Sequence, residues 1–246
     1  VNARTISALI GADARLLWRD PLLGWILFIP VGLALLLRAL LPAARDALLT
    51  GVGMDLAAYY PLIMGGYVMT APGIVGMIVG FLLLDERDSR TLVALRVTPL
   101  PLRRYLAYRI VVPLLAGIAV TIACYPLAGA VALPVRSLMA ISVVGSLWAP
   151  LLALVLATAA PNKVAGFAVM KVLNSLTLLP IAAFFLPTPL QYVAGILPPY
   201  WPMRALWSAA AGDTFGWYVL IGAVSGGTAI IIASRLFERR LMRLGT

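Results

Sequence analysis

The sequence predicts an all-α, polytopic membrane protein with six transmembrane helices, and three observations carry that expectation. Hydrophobic residues make up 63% of the 246 positions and charged residues only 11%, with a mean hydropathy of +1.02, whereas soluble domains carry about one quarter charged residues. Apolar runs long enough to cross about 30 Å of hydrocarbon recur six times, near 22–42, 59–84, 110–133, 137–160, 164–186 and 217–236. Counted on an inside-start arrangement, fourteen of the 19 Lys and Arg fall on the cytoplasmic side and three outside, while Arg38 and Lys171 lie within spans. That bias predicts a single transmembrane domain over 1–246, multi-pass in the cell membrane with both termini cytoplasmic.

Residues 1–20 come first. At about 100° per residue, Ile6, Leu9, Ile10, Leu16 and Leu17 share one face and Arg4, Arg15 and Arg19 another, the pattern of an amphipathic helix lying in the interface. Asp13 and Asp20 fall within the apolar arc, so either the helix frays there or the carboxylates meet a basic partner, with the arginines at 87–104 as candidates. The run at 22–42 is too long for a signal core of about 7–15 residues and follows twenty structured-looking residues, so it spans. Arg38 snorkels to the headgroups at its outer end. Residues 43–58, with Arg45, Asp46 and Asp55, are expected as a short outer loop.

The second span, 59–84, contains Pro61, Pro72 and five glycines and is expected to be kinked or partly unwound. Gly76 and Gly80 are spaced for close helix approach, which is ordinary tight packing or, more weakly, dimerisation. Short turns at 134–136 and 161–163 join spans three to five. Lys171 snorkels back to the cytoplasmic face, and Asn174, Ser175 and Thr177 need partners on a neighbouring helix or in a wet cavity. Between 187 and 215 five prolines alternate with Tyr192, Tyr200, Trp201 and Trp207, which predicts a re-entrant outer segment of short helices held by aromatic belts. The last span ends in Arg235, Glu238, Arg239, Arg240 and Arg243.

The most charged window is 85–109, with three acids and six arginines. Asp88 or Ser89 can cap a short helix from Arg90 to Val97, because their oxygens accept the free amides of a first turn. Thr98-Pro99 stops it. The bland reading is a solvated loop whose arginines fix topology. Yet the order Glu86, Arg87, Asp88, Ser89, Arg90, Thr91, Leu92, then Leu95, Arg96, Thr98, Pro99 and Leu100, followed by Tyr105 and Leu106, resembles the cytoplasmic coupling segment of type-2 ABC exporter permeases. The interface helix with its Trp18-Arg19-Asp20-Pro21 exit and the re-entrant segment before the last span are similar to that family too. Arg90 departs from it, standing where many members carry glycine, which leaves the helix start open.

The resemblance implies a coupling helix in 85–104, with Glu86, Arg87, Asp88, Arg90, Thr91, Leu92, Leu95, Arg96, Thr98 and Pro99 meeting ABC ATPase subunits. It implies a second permease, either another copy or a paralogue, because six spans make half a pore. If spans two and five face the dimer axis, Tyr67, Met69, Met170, Asn174 and Thr177 are candidates for a mainly apolar substrate path, with core packing as the plain alternative. The expected function is export of an amphipathic drug, antibiotic or lipid-like molecule. A composition rich in Ala, Leu, Arg and Val suggests a high-GC bacterium and, by family association, export of the actinobacterial multidrug or antibiotic type.

What the chain lacks points the same way. The only lysines, Lys163 and Lys171, lie outside any Gly-Lys-Ser/Thr loop, so ATP and its magnesium are expected in a partner subunit and not in this chain. There is no histidine and only one cysteine, Cys124, in an apolar run, so no catalytic or metal residues are assigned. The formal charge of +10 is read as topology, and the partner expected besides proteins is the bilayer, not nucleic acid. An alternative is a membrane-embedded lipid-modifying enzyme, for which Asp85, Glu86 and Asp88 are the sole candidate metal cluster. A channel or ion-coupled carrier is disfavoured by the lack of a mid-membrane acid.

Overall fold

In the computed structural model, residues 11, 13, 15, 21–89 and 102–243 are described. The described chain is helical, and six of its segments are long and apolar enough to cross a membrane: Gly24–Val52, Leu56–Asp88, Arg103–Ala128, Val135–Ala159, Lys163–Ala183 and Gly216–Arg240. The expected all-α, six-span class is therefore present.

The spans are built from shorter helices. Span one comprises α1 (Pro21–Ile26) and α2 (Ile29–Val52). Span two comprises a 3-10 turn at Leu56–Tyr59, α3 (Tyr60–Val68) and α4 (Thr70–Asp88). Span three is α5 (Leu102–Ala128), and span four is α6 (Val135–Ser146) with α7 (Trp148–Ala159). Span five is α8 (Lys163–Leu176) with α9 (Leu178–Ala183). After α10 (Thr188–Gln191), a 3-10 turn at Tyr192–Ile196 and α11 (Tyr200–Ala210), span six is α12 (Gly216–Arg243).

Four of the breaks share one cause. Proline has no amide hydrogen and its ring crowds the carbonyl four residues back, so that carbonyl loses its helical partner. The helices end at Ile26, Val68, Ser146 and Leu176, each four residues before a proline: Pro30, Pro72, Pro150 and Pro180. At each break a backbone amide turns to the carbonyl three residues back, Phe28 to Trp25 at 3.0 Å, Met69 to Gly66 at 3.3 Å, Leu147 to Val144 at 3.3 Å and Thr177 to Asn174 at 3.0 Å. Helical bonding resumes at Gly32, Gly73 and Leu151. The expected kink in span two is thus placed at Met69, and spans one, four and five carry the same device. Pro42, Pro113 and Pro126 lie inside unbroken helices.

Spans two and four form the centre. In their most apolar stretches 72% of residues are buried, against 17–28% in the other four spans, which leaves those four with outward apolar faces. Gly76 and Gly80 explain the closeness of the central pair: an added Cβ at Gly76 would come within 2.5 Å of the Ala149 carbonyl oxygen, and one at Gly80 within 2.7 Å of Leu156. The Gly-x-x-x-Gly pair packs span two against span four of the same chain.

Two expectations about the far end of the bundle change. Residues 43–52, expected as loop, continue α2; the helix stops at Gly53, whose φ of 70° lets its amide reach back to the Leu48 and Leu49 carbonyls. Arg45 then donates to Asp55 at 2.7 and 3.0 Å across the turn. Arg38 lies beside Gly129 in the turn that follows α5, which itself ends at Ala128 and not at 133. Residues 187–215 are short helices as expected, and α11 is largely interior. Its Tyr200, Trp201, Met203, Leu206 and Trp207 are buried against α3, α6 and α12, and an added Cβ on Gly65 would meet the Trp207 indole nitrogen at 2.6 Å.

Candidate functional site: the charged end of the bundle

The last turn of α4 reads Asp85-Glu86-Arg87-Asp88. Successive residues on a helix point about 100° apart, so a run of charges sends its side chains to different neighbours. Asp85 accepts from Lys163 Nζ at 3.0 Å, which ties α4 to the start of α8. Glu86 turns to α5, accepting from Tyr105 Oη and from the Arg109 guanidinium. Arg87 turns to the end of α7, donating to the carbonyls of Ala157 at 3.0 Å, Ala160 at 2.8 Å and Pro161 at 2.7 Å. Asp88 stays with Arg87 at 3.4 Å.

Arg87 therefore caps a helix. The last carbonyls of any α-helix lack partners and carry the negative end of its dipole, and a guanidinium with several donors satisfies both. The chain is obliged to end α7 there, because Ala160 is extended and Pro161 follows it. Asn162 then starts α8, its side-chain oxygen accepting the Ala165 amide at 2.9 Å.

Arg109 is the centre of the second half of the knot. Its side chain is 1% exposed, and those of Asp13 and Glu86 are 15% exposed. It grips Asp13 with both terminal nitrogens, at 2.8 and 3.2 Å, and donates Nε to Tyr105 Oη at 3.0 Å. Tyr108 Oη donates to the same Asp13 carboxylate at 2.7 Å, and the guanidinium packs over the Tyr105 and Tyr108 rings. Tyr105, Tyr108 and Arg109 fall on one stripe at i, i+3, i+4. A charge this deep is tolerable only when paired and hydrogen-bonded on every side, which is the arrangement here.

Asp13 thus meets a basic partner, as one of the two sequence readings required; among the described residues that partner is Arg109, which lies beyond the expected range of 87–104. Of the ten coupling candidates, Glu86, Arg87 and Asp88 face other parts of this chain; Arg90, Thr91, Leu92, Leu95, Arg96, Thr98 and Pro99 lie outside the described residues. The interface helix is described only at residues 11, 13 and 15, all helical. The sequence reading singles out neither Arg109 nor Tyr108 and takes Tyr105 only as part of the family resemblance; the i, i+3, i+4 stripe at the entry to span three is the signal that finds all three.

The path candidates fall in different surroundings. Tyr67, Met69 and Met170 are buried in the chain's interior, with Tyr67 Oη donating to the Pro30 carbonyl at 2.9 Å. Asn174 is exposed on α8, beside the likewise exposed Lys171 and Ser175. Ser175 and Thr177 find partners on their own helix, donating to Lys171 O at 2.8 Å and Asn174 O at 2.6 Å. Among the described residues no group of three His, Cys, Asp or Glu is placed to hold a metal.

Six helices long and apolar enough to cross a membrane, tied together at one end by ion pairs, define a polytopic membrane protein. Comparison with known proteins makes the class specific: residues 13–234 match the model of the family described as fluoroquinolones export permease protein Rv2686c-like, and the chain belongs to that family. It is 32% identical over 240 residues to the fluoroquinolones export permease protein Rv2686c of Mycobacterium tuberculosis (strain ATCC 25618 / H37Rv), covering 96% of this chain and 95% of the relative. The protein MT2760 of the same name from strain CDC 1551 / Oshkosh is equally similar, with the same coverage. No solved structure matches. The family match agrees with the resemblance to type-2 ABC permeases and makes the chain an export-permease component of a transporter.

Proposed function

We propose that this chain is the membrane subunit of an ABC exporter, moving an amphipathic drug such as a fluoroquinolone out of the cell with ATP hydrolysed by separate subunits. In this reading the charged end is cytoplasmic, residues 90–101 seat in the ATPase, and a second permease completes the pore. The observation that carries it is the charge knot at the roots of that segment. The hairpin from α4 to α5 is closed at its base by Glu86 with Arg109 and Tyr105, while Arg87 and Lys163 fasten α4 to α7 and α8. A push on 90–101 is then shared by spans two to five, which is what a device driven from another chain requires.

The basic bias of that end supports the orientation. The exposed face of α8 bearing Asn174, and the outward faces of spans one and five, suit contact with the second permease. Against the competing lipid-modifying enzyme, Asp85, Glu86 and Asp88 each have a cationic partner within the chain, which disfavours their gathering on a metal. The test is ATP-dependent uptake of a fluoroquinolone into everted vesicles carrying this chain and its ATPase. Uptake that needs both chains and ATP is expected. Uptake without the ATPase, or metal-dependent lipid turnover by the chain alone, contradicts the proposal.

A further inference from the structure

A groove of about 400 Å³ lies between α7 and α12, in the half of the bundle toward the charged end. Val155, Thr158, Ala159, Ala229, Ile232 and Leu236 line it. Its wall offers no hydrogen-bonding group, since the one hydroxyl, on Thr158, is donated to the Leu154 carbonyl at 2.6 Å and leaves the methyl facing outward. The gap is local. Toward the other end, Gly222 and Gly226 bring α12 against Val144, Trp201 and Leu147, whereas Ala159 and Ala229 leave the space between the helices unfilled. Ile232 and Leu236 at its margin are exposed, so the groove opens sideways, where the hydrocarbon of a bilayer would lie.

The groove continues into charge. On α12 the stripe that passes through Ala229, Ile232 and Leu236 reaches Arg239 and Arg240 one turn later, Arg240 about 6 Å further along the axis. Arg239 is exposed and Arg240 half-buried, and neither is paired within the described chain. Glu238, the acid of that turn, falls on the opposite side of the helix by its 100° spacing. An apolar slot with two guanidinium groups one turn beyond its margin, unpaired among the described residues, is complementary to one kind of molecule. A polar drug would bury its amine and carboxylate against a wall with nothing to pair them, whereas a fatty chain meets only methyl and methylene groups and leaves its phosphate at the arginines.

We propose that this groove is a specific site for one acyl chain of an anionic phospholipid, whose headgroup is held by Arg239 and Arg240. The site is lateral and separate from the charge knot, and it stands whether or not the chain exports fluoroquinolones. Occupancy would fill the seam between spans four and six, the seam that must stay sealed if the two spans move together.

The experiment uses the full-length chain in nanodiscs containing a phosphatidylglycerol with a photoactivatable acyl chain, and maps the labelled residues by mass spectrometry. Labelling concentrated at α7 and α12 around Val155, Ala229 and Ile232 is expected, with phosphatidylglycerol favoured over phosphatidylcholine by about fivefold for each arginine engaged. Arg239→Gln with Arg240→Gln should remove that preference, and Ala229→Leu should remove the groove labelling while leaving labelling of the exposed α2 face at Leu35 and Leu36 unchanged. If the Ala229→Leu protein does not insert, the double arginine variant, which adds no bulk at either position, decides alone. Labelling spread evenly over the outward faces of α2, α5 and α8, or no headgroup preference, would overturn the proposal. So would full competition by glycerol phosphate, which would mark a phosphate site, by a fluoroquinolone, which would mark a substrate site, or a groove left unlabelled because a second copy covers it.

Discussion

Glu86 and Arg109 form an ion pair between the last turn of α4 and the first turns of α5, with Arg109 also holding Asp13. One guanidinium therefore joins three parts of the chain that are far apart in sequence. Removing it strands two carboxylates in a poorly solvated place. Arg109→Met should destabilise the detergent-purified chain by about 3–5 kcal/mol, the usual cost of breaking one side of a buried pair. Tyr105→Phe, which removes a single hydroxyl from the same cluster, should cost about 1 kcal/mol. Thermal unfolding of the two variants checks the order, and an Arg109→Met protein as stable as the parent would show that the knot contributes nothing.

Lysine should replace Arg87 only in part. Three carbonyls, of Ala157, Ala160 and Pro161, converge on its guanidinium, and a single ammonium cannot reproduce the planar fork. Amide exchange across residues 158–166 should quicken strongly in Arg87→Ala and to an intermediate degree in Arg87→Lys. Equal protection in all three proteins would mean that α7 ends securely without its cap.

The glycines of span two provide a matched pair. A Cβ at Gly76 would intrude on the Ala149 carbonyl and on Leu152, whereas one at Gly73 meets nothing within 4 Å. Gly76→Ala should lower stability by about 1–3 kcal/mol, the range for overpacking, and Gly73→Ala should be neutral or slightly stabilising because the unfolded chain loses freedom. Comparable unfolding midpoints for the two would place the seam between spans two and four elsewhere.

At the far end, the bonds donated by Arg45 and by the Ala57 amide hold the Asp55 carboxyl below its ordinary value. A depressed carboxylate contributes stability that is complete above its unfolded value and is lost as pH falls through the folded one. Because the pair is exposed, the effect is small and screened by salt. Unfolding midpoints of the parent and of Asp55→Asn should differ at neutral pH in low salt and converge on acidification; a difference that persists in acid would assign the clip to something other than charge.

Much of this architecture was legible in the chain. Hydropathy and the distribution of arginines are enough for six spans, and the kink near Pro72 follows from proline's missing amide. The same reasoning applies to Pro30, Pro150 and Pro180, where the apolar runs read as continuous only because composition, not backbone bonding, was followed. Residues 43–52 read as loop because Arg45 and Asp46 lower the hydropathy, yet polarity does not end a helix and Gly53 does. Asp13 announced its need for a cation. Its partner did not announce itself, since Arg109 reaches Asp13 and Glu86 only once α5 lies beside α4, and that neighbourhood is a property of packing. The sequence reads the run at 85–88 as part of a surface for another protein; the partners that its charges take within the chain are not legible there, because charges in sequence order carry no direction until the helix turns each one toward a different neighbour.

The central claim is that residues 90–101 carry movement from an ATPase into the rigid base made by the charge knot, and Leu95→Asp tests it most directly. The variant changes one side chain in the segment, removes no arginine and leaves Glu86, Arg87 and Arg109 intact, so insertion and abundance should be normal. With the ATPase present, vesicles carrying it should lose fluoroquinolone transport and show reduced substrate-stimulated ATP hydrolysis. Full transport by the Leu95→Asp protein, with its ATPase still bound, would contradict the account.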